Sequence, residues 1–186
     1  MIPSNAARSP ASEVKDRQPT PYGQRLLLRH LREPLYLSTE LLQRATRSYR
    51  SALSTSRLPT SRTIVLGVVE RTTAGNLIIA DLAAMLTNRA YIPADSSYEV
   101  RMADQLIASG RAFVKPLRYD NNFEVFPDFV LTDTDPWQYV EVWGMPGREA
   151  YERRKRDKQA HYRQAGIDLL GWDVNQPLPE MRRPHP

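Results

Sequence analysis

Three acidic residues have the types and spacing to act together. They are Glu99 in Ser96-Ser97-Tyr98-Glu99, Asp128 in Phe126-Pro127-Asp128-Phe129-Val130-Leu131, and Glu141 in Tyr139-Val140-Glu141-Val142-Trp143-Gly144. If Asp128 and Glu141 stand on the arms of a hairpin with the loop Asp133 to Pro136, then Thr132 pairs with Trp137. Counting back from that pair sets Asp128 opposite Glu141. Directly opposed residues share a face with Cβ atoms about 4.5–5.5 Å apart. Phe129, Leu131, Val140 and Val142 then point to the other, apolar face. Two like charges so placed destabilise a sheet unless something positive lies between them. A hard divalent cation does that, and carboxylates at this separation suit Mg²⁺ or Mn²⁺. Two carboxylates on a solvated face fit the same pattern, and a register slip of one residue separates the pair.

Glu99 has two readings. Ser96 with Glu99 forms a capping box, in which the Glu side chain reaches back to the N-cap backbone N–H. Glu99, Ala103 and Leu106 also share one helical face, which sets the carboxylate beside the face that packs on a sheet. A fourth element follows Glu141. Tyr151, Lys155, Lys158 and Tyr162 fall at i, i+4, i+7 and i+11, a single stripe along a helix. Six basic residues between Arg148 and Lys158 fit the charged outer face of a surface helix. They also fit a helix that puts one ammonium over the carboxylate pair and presents Arg153, Arg154 and Arg156 to phosphates. Tyr151 and Tyr162, interleaved with these basic residues, suit contact with nucleic acid.

The elements that must position these groups follow from periodicity. Residues 1–12 and 176–186 hold six of the fifteen prolines and read as poorly ordered tails. Gln24–Leu28 and Leu35–Leu37 are short strands. Ser38-Thr39-Glu40 opens a helix through about Leu53. Ser54–Ser61 is a Ser/Thr/Pro linker, the expected boundary between a small β-rich N-terminal portion (13–61) and the main domain (62–175). Within that domain Thr63–Val69 is a buried strand. Asn76–Ala80 begins an apolar run that turns helical by Leu82–Leu86. A helix from Ser96 to Ala108 ends at Gly110. Phe113–Leu117, Val125–Leu131 and Gln138–Val142 are strands, a helix spans Arg148 to Gln164, and Ile167–Trp172 is the last strand.

Composition removes several function classes. The 186 residues hold no Cys and three His, which leaves no thiolate metal site, no Cys nucleophile and no His-rich zinc site. Neither a phosphate-binding G-x-x-x-x-G-K-[ST] loop nor a G-x-G-x-x-G turn is present. No apolar run approaches membrane-spanning length and residues 1–21 lack a signal-type apolar core, so a cytoplasmic protein away from membranes is expected. Net charge is +5, divided into +6 over residues 1–60, −4 over 61–147 and +3 over 148–186. An acidic centre between basic flanks suits a metal-dependent enzyme on a polyanion, and equally a solvated basic surface.

At Glu99, Pro127-Asp128 and Glu141, with the helix and strand from Tyr151 to Trp172, the chain resembles the PD-(D/E)XK nuclease superfamily over about residues 96–173. From about Tyr22 it also resembles a domain family of unassigned function found in proteins of bacterial plasmids and integrated elements. The stretches that carry this second resemblance are Leu86-Thr87-Asn88-Arg89-Ala90-Tyr91-Ile92-Pro93, Ser96–Glu99, Phe126–Asp133 and Glu141–Met145. The first resemblance implies a mixed α/β fold of restriction-endonuclease type, a central mixed sheet with helices on its faces. It implies a Mg²⁺- or Mn²⁺-dependent endonuclease acting on DNA. Asp128, Glu141 and the backbone carbonyl of Val142 would hold the metal, and Glu99 a second metal or a ligand.

One departure stands out. The superfamily's acidic-X-Lys motif has Trp143 where the lysine belongs. Lys158 is the expected replacement and Lys155 the second choice. If neither reaches the site, the domain binds nucleic acid or assembles with partners without cutting. A fragment of a longer protein whose chemistry lies elsewhere also fits the Pro-rich start.

Overall fold

The computed structural model describes residues 7–8, 11–54, 58–117, 125–144 and 147–182. The chain forms two compact units, Met1–Ser97 and Tyr98–Pro186. Together they make a mixed α/β protein dominated by antiparallel strands with a few helices.

The first unit contains β1 (Ala7–Arg8), β2 (Ser12–Thr20), β3 (Gly23–Leu28), β4 (Leu35–Ser38), α1 (Thr39–Ser48), α2 (Arg50–Leu53), β5 (Ser61–Arg71), β6 (Leu77–Asn88) and β7 (Pro93–Ala94). Its strands close on themselves. β2 pairs antiparallel with β3, β3 antiparallel with β4, β4 parallel with β6, β6 antiparallel with β5, and β5 antiparallel with β2. The result is a five-stranded barrel in the order β2-β3-β4-β6-β5. β1 lies beside β5, and β7 beside β6. Alternation along the strands fills the interior with Leu26, Leu28, Leu35, Leu37 and Val65, while Leu41, Ala45 and Leu53 of the helices join the same cluster. Ser38 caps α1 by accepting the Leu41 N–H at 3.2 Å. Gly23 has φ +147°, and a side chain there would collide with the Leu37 carbonyl oxygen, so only glycine suits the turn into β3. Buried Glu13 accepts from Arg29 at 2.8 Å and from the Tyr91 hydroxyl at 2.9 Å, with Arg62 at 3.3 Å; these partners hold its pKa down, Arg29 foremost.

Two expectations change here. The run at Leu82–Leu86 is not helical: β6 is strand from Leu77 to Asn88, and its backbone pairs with β5 from Arg71↔Leu77 to Ser61↔Asn88. Ala83, Ala84, Met85 and Leu86 favour a helix in isolation, but a long ladder decides otherwise. The Ser54–Ser61 segment joins α2 to β5 inside the first unit, and the chain divides instead at Ser97 and Tyr98. β5 and β6 are needed to close the barrel, so the β-rich N-terminal portion takes them with it. Residues 55–57 and most of residues 1–10 lie outside the described residues, as does Met145.

The second unit contains α3 (Ser97–Ala108), β8 (Phe113–Val114), β9 (Phe129–Leu131), β10 (Gln138–Trp143), α4 (Glu149–Gln164) and β11 (Asp168–Asp173). Its mixed sheet has the order β11-β10-β9-β8, antiparallel except for the parallel pair β10–β11, which α4 connects. Gly110 (φ +64°) and Gly166 (φ +65°) terminate α3 and α4. The β9–β10 pairs are Leu131↔Gln138, Val130↔Tyr139 and Phe129↔Val140, the register counted from the loop. The strands are shorter than expected: β8 stops at Val114, and β9 begins only at Phe129, just after Asp128. The Thr132 amide bonds the Ala112 carbonyl at 2.9 Å, so the expected Thr132–Trp137 pair is replaced by a wider loop. Arg111 grips Asp133 with two bonds of 2.7 and 2.8 Å and donates to the Arg182 carbonyl at 3.2 Å. Residues 176–182, expected as a loose tail, are tied down: Trp172 donates to the Gln176 carbonyl at 3.1 Å, and Met181 is buried. Among the described residues no helix is long and apolar enough to cross a membrane.

Candidate functional site

Alternation along β10 sends Tyr139, Glu141 and Trp143 to one face, and α4 covers that face. The stripe Tyr151, Lys155, Lys158 and Tyr162 meets β10 residue by residue. The Tyr162 hydroxyl donates to Glu141 Oε1 at 2.7 Å, and its ring stands edge-on to Tyr139 at 5.6 Å. Lys158 Nζ lies 2.6 Å from Glu141 Oε1 and donates to the Phe126 carbonyl at 2.7 Å. Lys155 Nζ sits 5.4 Å from the centre of the Trp143 ring and 3.5 Å from Asp173. The Tyr151 hydroxyl accepts the Gly144 N–H at 2.8 Å. The i, i+4, i+7, i+11 pattern therefore marks the inner face of α4, while Arg153, Arg154, Arg156 and Asp157 between are exposed to solvent.

Asp128 lies at the mouth of the β9–β10 pair. Its Oδ2 accepts the Val142 N–H at 2.7 Å, which pins the carboxylate to the strand that carries Glu141. Its Oδ1 is 3.9 Å from Lys115 Nζ. That ammonium donates to Glu99 Oε2 at 2.7 Å and lies 4.7 Å from the centre of the Phe129 ring. Glu99 and Glu141 are both buried. Three carboxylates from α3, the segment before β9, and β10 thus meet two ammonium groups, Lys115 and Lys158.

Burial and repulsion shape the charge of this cluster. Asp128 is pushed up to about pKa 7, first by desolvation, then by the negative charges of Glu99 and Glu141; Lys115 and the Val142 N–H pull the other way. Glu141 is also raised by burial, against the opposing pull of Lys158, the Tyr162 hydroxyl and Lys115. Tyr162 is raised by its own burial and by the adjacent Glu141, so it remains a neutral hydrogen-bond donor. A carboxylate that titrates near neutrality beside two others is a group a divalent cation would return to its charged form.

Asp128 and Glu141 therefore offer hard oxygen donors suited to Mg²⁺ or Mn²⁺, with Glu99 turned toward Lys115. Among the described residues no group of three or more His, Cys, Asp and Glu side chains is placed to hold a metal ion. The backbone N–H of Val142 serves Asp128 directly.

The remaining expected residues divide clearly. Arg153, Arg154 and Arg156 are exposed on the outer face of α4. Tyr162, expected against nucleic acid, is completely buried and serves Glu141 instead. Lys155 goes to Asp173 and Trp143. Trp143, at the position where the resemblance implies a lysine, is a buried indole that packs on β11: a Cβ added at Gly171 would lie 2.6 Å from its Nε1. Lys115 was missed. Its signal is present, since in Phe113-Val114-Lys115 the alternation puts a lysine on the face of Phe113, whose ring packs edge-on against Phe129 at 5.7 Å. An ionisable group on an apolar stripe needs a buried partner.

No curated protein and no solved structure matches this chain. One family model does, across residues 11–173, a span that takes in both units and every residue of the cluster. The chain belongs to the family described as protein of unknown function (DUF1173).

Proposed function

We propose that the second unit is a divalent-metal-dependent phosphodiesterase of PD-(D/E)XK type that hydrolyses DNA, in a mobile-element or defence setting. The observation that carries this reading is Lys158, which reaches from α4 to within 2.6 Å of Glu141 at a cluster that also holds Asp128 and Glu99. An ammonium delivered from the following helix supplies the charge that Trp143 cannot. Asp128 and Glu141 would hold the cation, which when bound polarises a phosphoryl oxygen and lowers the pKa of water. Lys158 would donate to a phosphate oxygen as charge builds there. Lys115 holds Glu99 and keeps the cluster from accumulating negative charge. Arg153, Arg154 and Arg156, exposed on the opposite face of α4, suit phosphate contacts outside the site.

A second reading has its own support. Both lysines already have carboxylate partners, and Trp143 occupies the motif position. A nucleic-acid-binding or assembly module that keeps the nuclease architecture would show these features. Incubation of purified protein with supercoiled plasmid and Mg²⁺ or Mn²⁺ separates the two. Nicked or linear product with wild type, and none with Asp128→Asn, supports hydrolysis. Plasmid binding without any product under either metal supports the second reading.

A further inference from the structure

We propose that the barrel of the first unit is a separate binding site for single-stranded nucleic acid. The proposal stands on a different unit from the carboxylate cluster and does not depend on it. Five strands close in the order β2-β3-β4-β6-β5, the third and fifth are parallel, and helices are inserted between the third and fourth. This is the strand order of the OB barrel. In such barrels the ligand lies across the second and third strands, between the loop joining strands one and two and the loop joining strands four and five.

The two loops and the third strand meet here in one cleft of about 730 Å³. Tyr22 comes from the turn between β2 and β3, Tyr36 and Ser38 from β4, and Thr72 and Asn76 from the turn between β5 and β6; Arg44 of α1 completes that wall. The volume lies within the ~300–1,000 Å³ typical of ligand pockets. Tyr22 is 87% exposed. A large aromatic ring presented so fully has little to do for the core.

The outer face of β3 and β4 carries the complementary chemistry. With Leu35 and Leu37 turned inward, Tyr36 points out, and its register partner across the ladder is Arg25. Arg25 donates to Gln18 at 3.4 Å, and its Nε is buried with no hydrogen-bond partner among the described residues. An aromatic ring beside a guanidinium is a platform for an unpaired base and its phosphate. Glu40 and Glu70 also line the cleft. Residues 11–97 as a whole carry twelve Lys and Arg against seven Asp and Glu. That balance favours a polyanion over a neutral oligosaccharide, the other ligand class such barrels take. A duplex keeps its base faces stacked away from Tyr22 and Tyr36, so the strand must be single.

The test uses the full chain in EDTA, which removes any hydrolysis. Fluorescence anisotropy follows a labelled oligo-dT of about twelve nucleotides, within the footprint of one such barrel. Wild type binds at low salt and prefers the single strand to a duplex of equal length. Tyr22→Ala and Tyr36→Ala each weaken binding about 5- to 150-fold, the loss of one stacked base at ~1–3 kcal/mol. Tyr22→Ala cannot disturb the core, so it remains informative if Tyr36→Ala lowers the melting temperature. Cross-linking with a 4-thiothymidine oligonucleotide places the adducts in residues 20–38 or 70–80. Wild-type affinity in both tyrosine variants overturns the proposal, as do adducts confined to α4, equal competition by duplex, or binding of neutral oligosaccharide alone. Retained oligonucleotide binding in a protein that never cuts plasmid overturns the nuclease reading and leaves this site standing.

Discussion

Replacing Asp128 with Asn removes one charge from the cluster and preserves its shape. The amide oxygen can still accept the Val142 N–H now taken by Asp128 Oδ2. The carboxyl is raised from an ordinary 3.8 to about 7. Each pKa unit corresponds to about 1.4 kcal/mol, so full ionisation in the folded chain costs about 4 kcal/mol. The Asp128 side chain is 25% exposed, and solvent screening brings this to about 2 kcal/mol. Below pH ~4 the group is protonated in both states and contributes no difference. Between pH ~4 and 7 the folded chain holds a proton that the unfolded chain has released, so stability falls as pH rises through this window. Above it the penalty is complete. Asp128→Asn is therefore expected to match wild type near pH 4 and to melt about 4–8 °C higher at pH 8 in EDTA. Added Mg²⁺ should narrow the gap by stabilising wild type alone. With a dissociation constant on the order of 1 mM and about 10 mM Mg²⁺, the gain is roughly 1.4 kcal/mol. Differential scanning fluorimetry across pH, with EDTA, Mg²⁺ and Mn²⁺, reads every term. A difference between wild type and variant that does not change with pH would refute the burial of a titrating Asp128. Equal responses to metal would move the cation elsewhere.

Lys115→Met strips the ammonium that faces Glu99 and Asp128 and is expected to destabilise the chain by about 3–5 kcal/mol, measured by denaturant unfolding; Lys155→Met, at a looser pair, should lose about 1 kcal/mol or less. Lys158→Ala is expected to abolish plasmid nicking and also to lower the melting temperature, because its partner Glu141 is 3% exposed; an exposed-helix substitution would have been neutral. Gly171→Ala drives a methyl into the Trp143 indole and should destabilise by about 1–3 kcal/mol, with the shift in urea midpoint as readout.

What could be read from the sequence was local. The β9–β10 register followed from counting out of one short loop, and it held although the loop proved wider, because both arms alternate around the same buried residues. The α4 stripe was legible because four residues at helical spacing specify one face whatever they touch. The barrel was not legible. Its closure depends on β4 meeting β6 in parallel at Leu35↔Leu77, a pairing between segments far apart in sequence. The same blindness made β6 look helical, since its best partner, β5, lies across a turn that propensity cannot weigh. Tyr162 was misassigned as a surface aromatic because a stripe fixes a face without saying which side is in. Lys115 went unnoticed because its partners, Glu99 and Asp128, are 16 and 13 positions away.

The fastening of α4 to β10 makes this helix intolerant of changes in length. Its rungs run in strict sequence from Tyr151 at Gly144 to Tyr162 at Glu141. One inserted residue between Lys158 and Tyr162 turns everything beyond it by about 100°. The Tyr162 hydroxyl would leave Glu141, and a polar neighbour would be driven against Tyr139. Insertions before Tyr151 or after Gln164 change only the connections. Across the family, indels should therefore collect at the two ends of this helix and spare the twelve positions from 151 to 162.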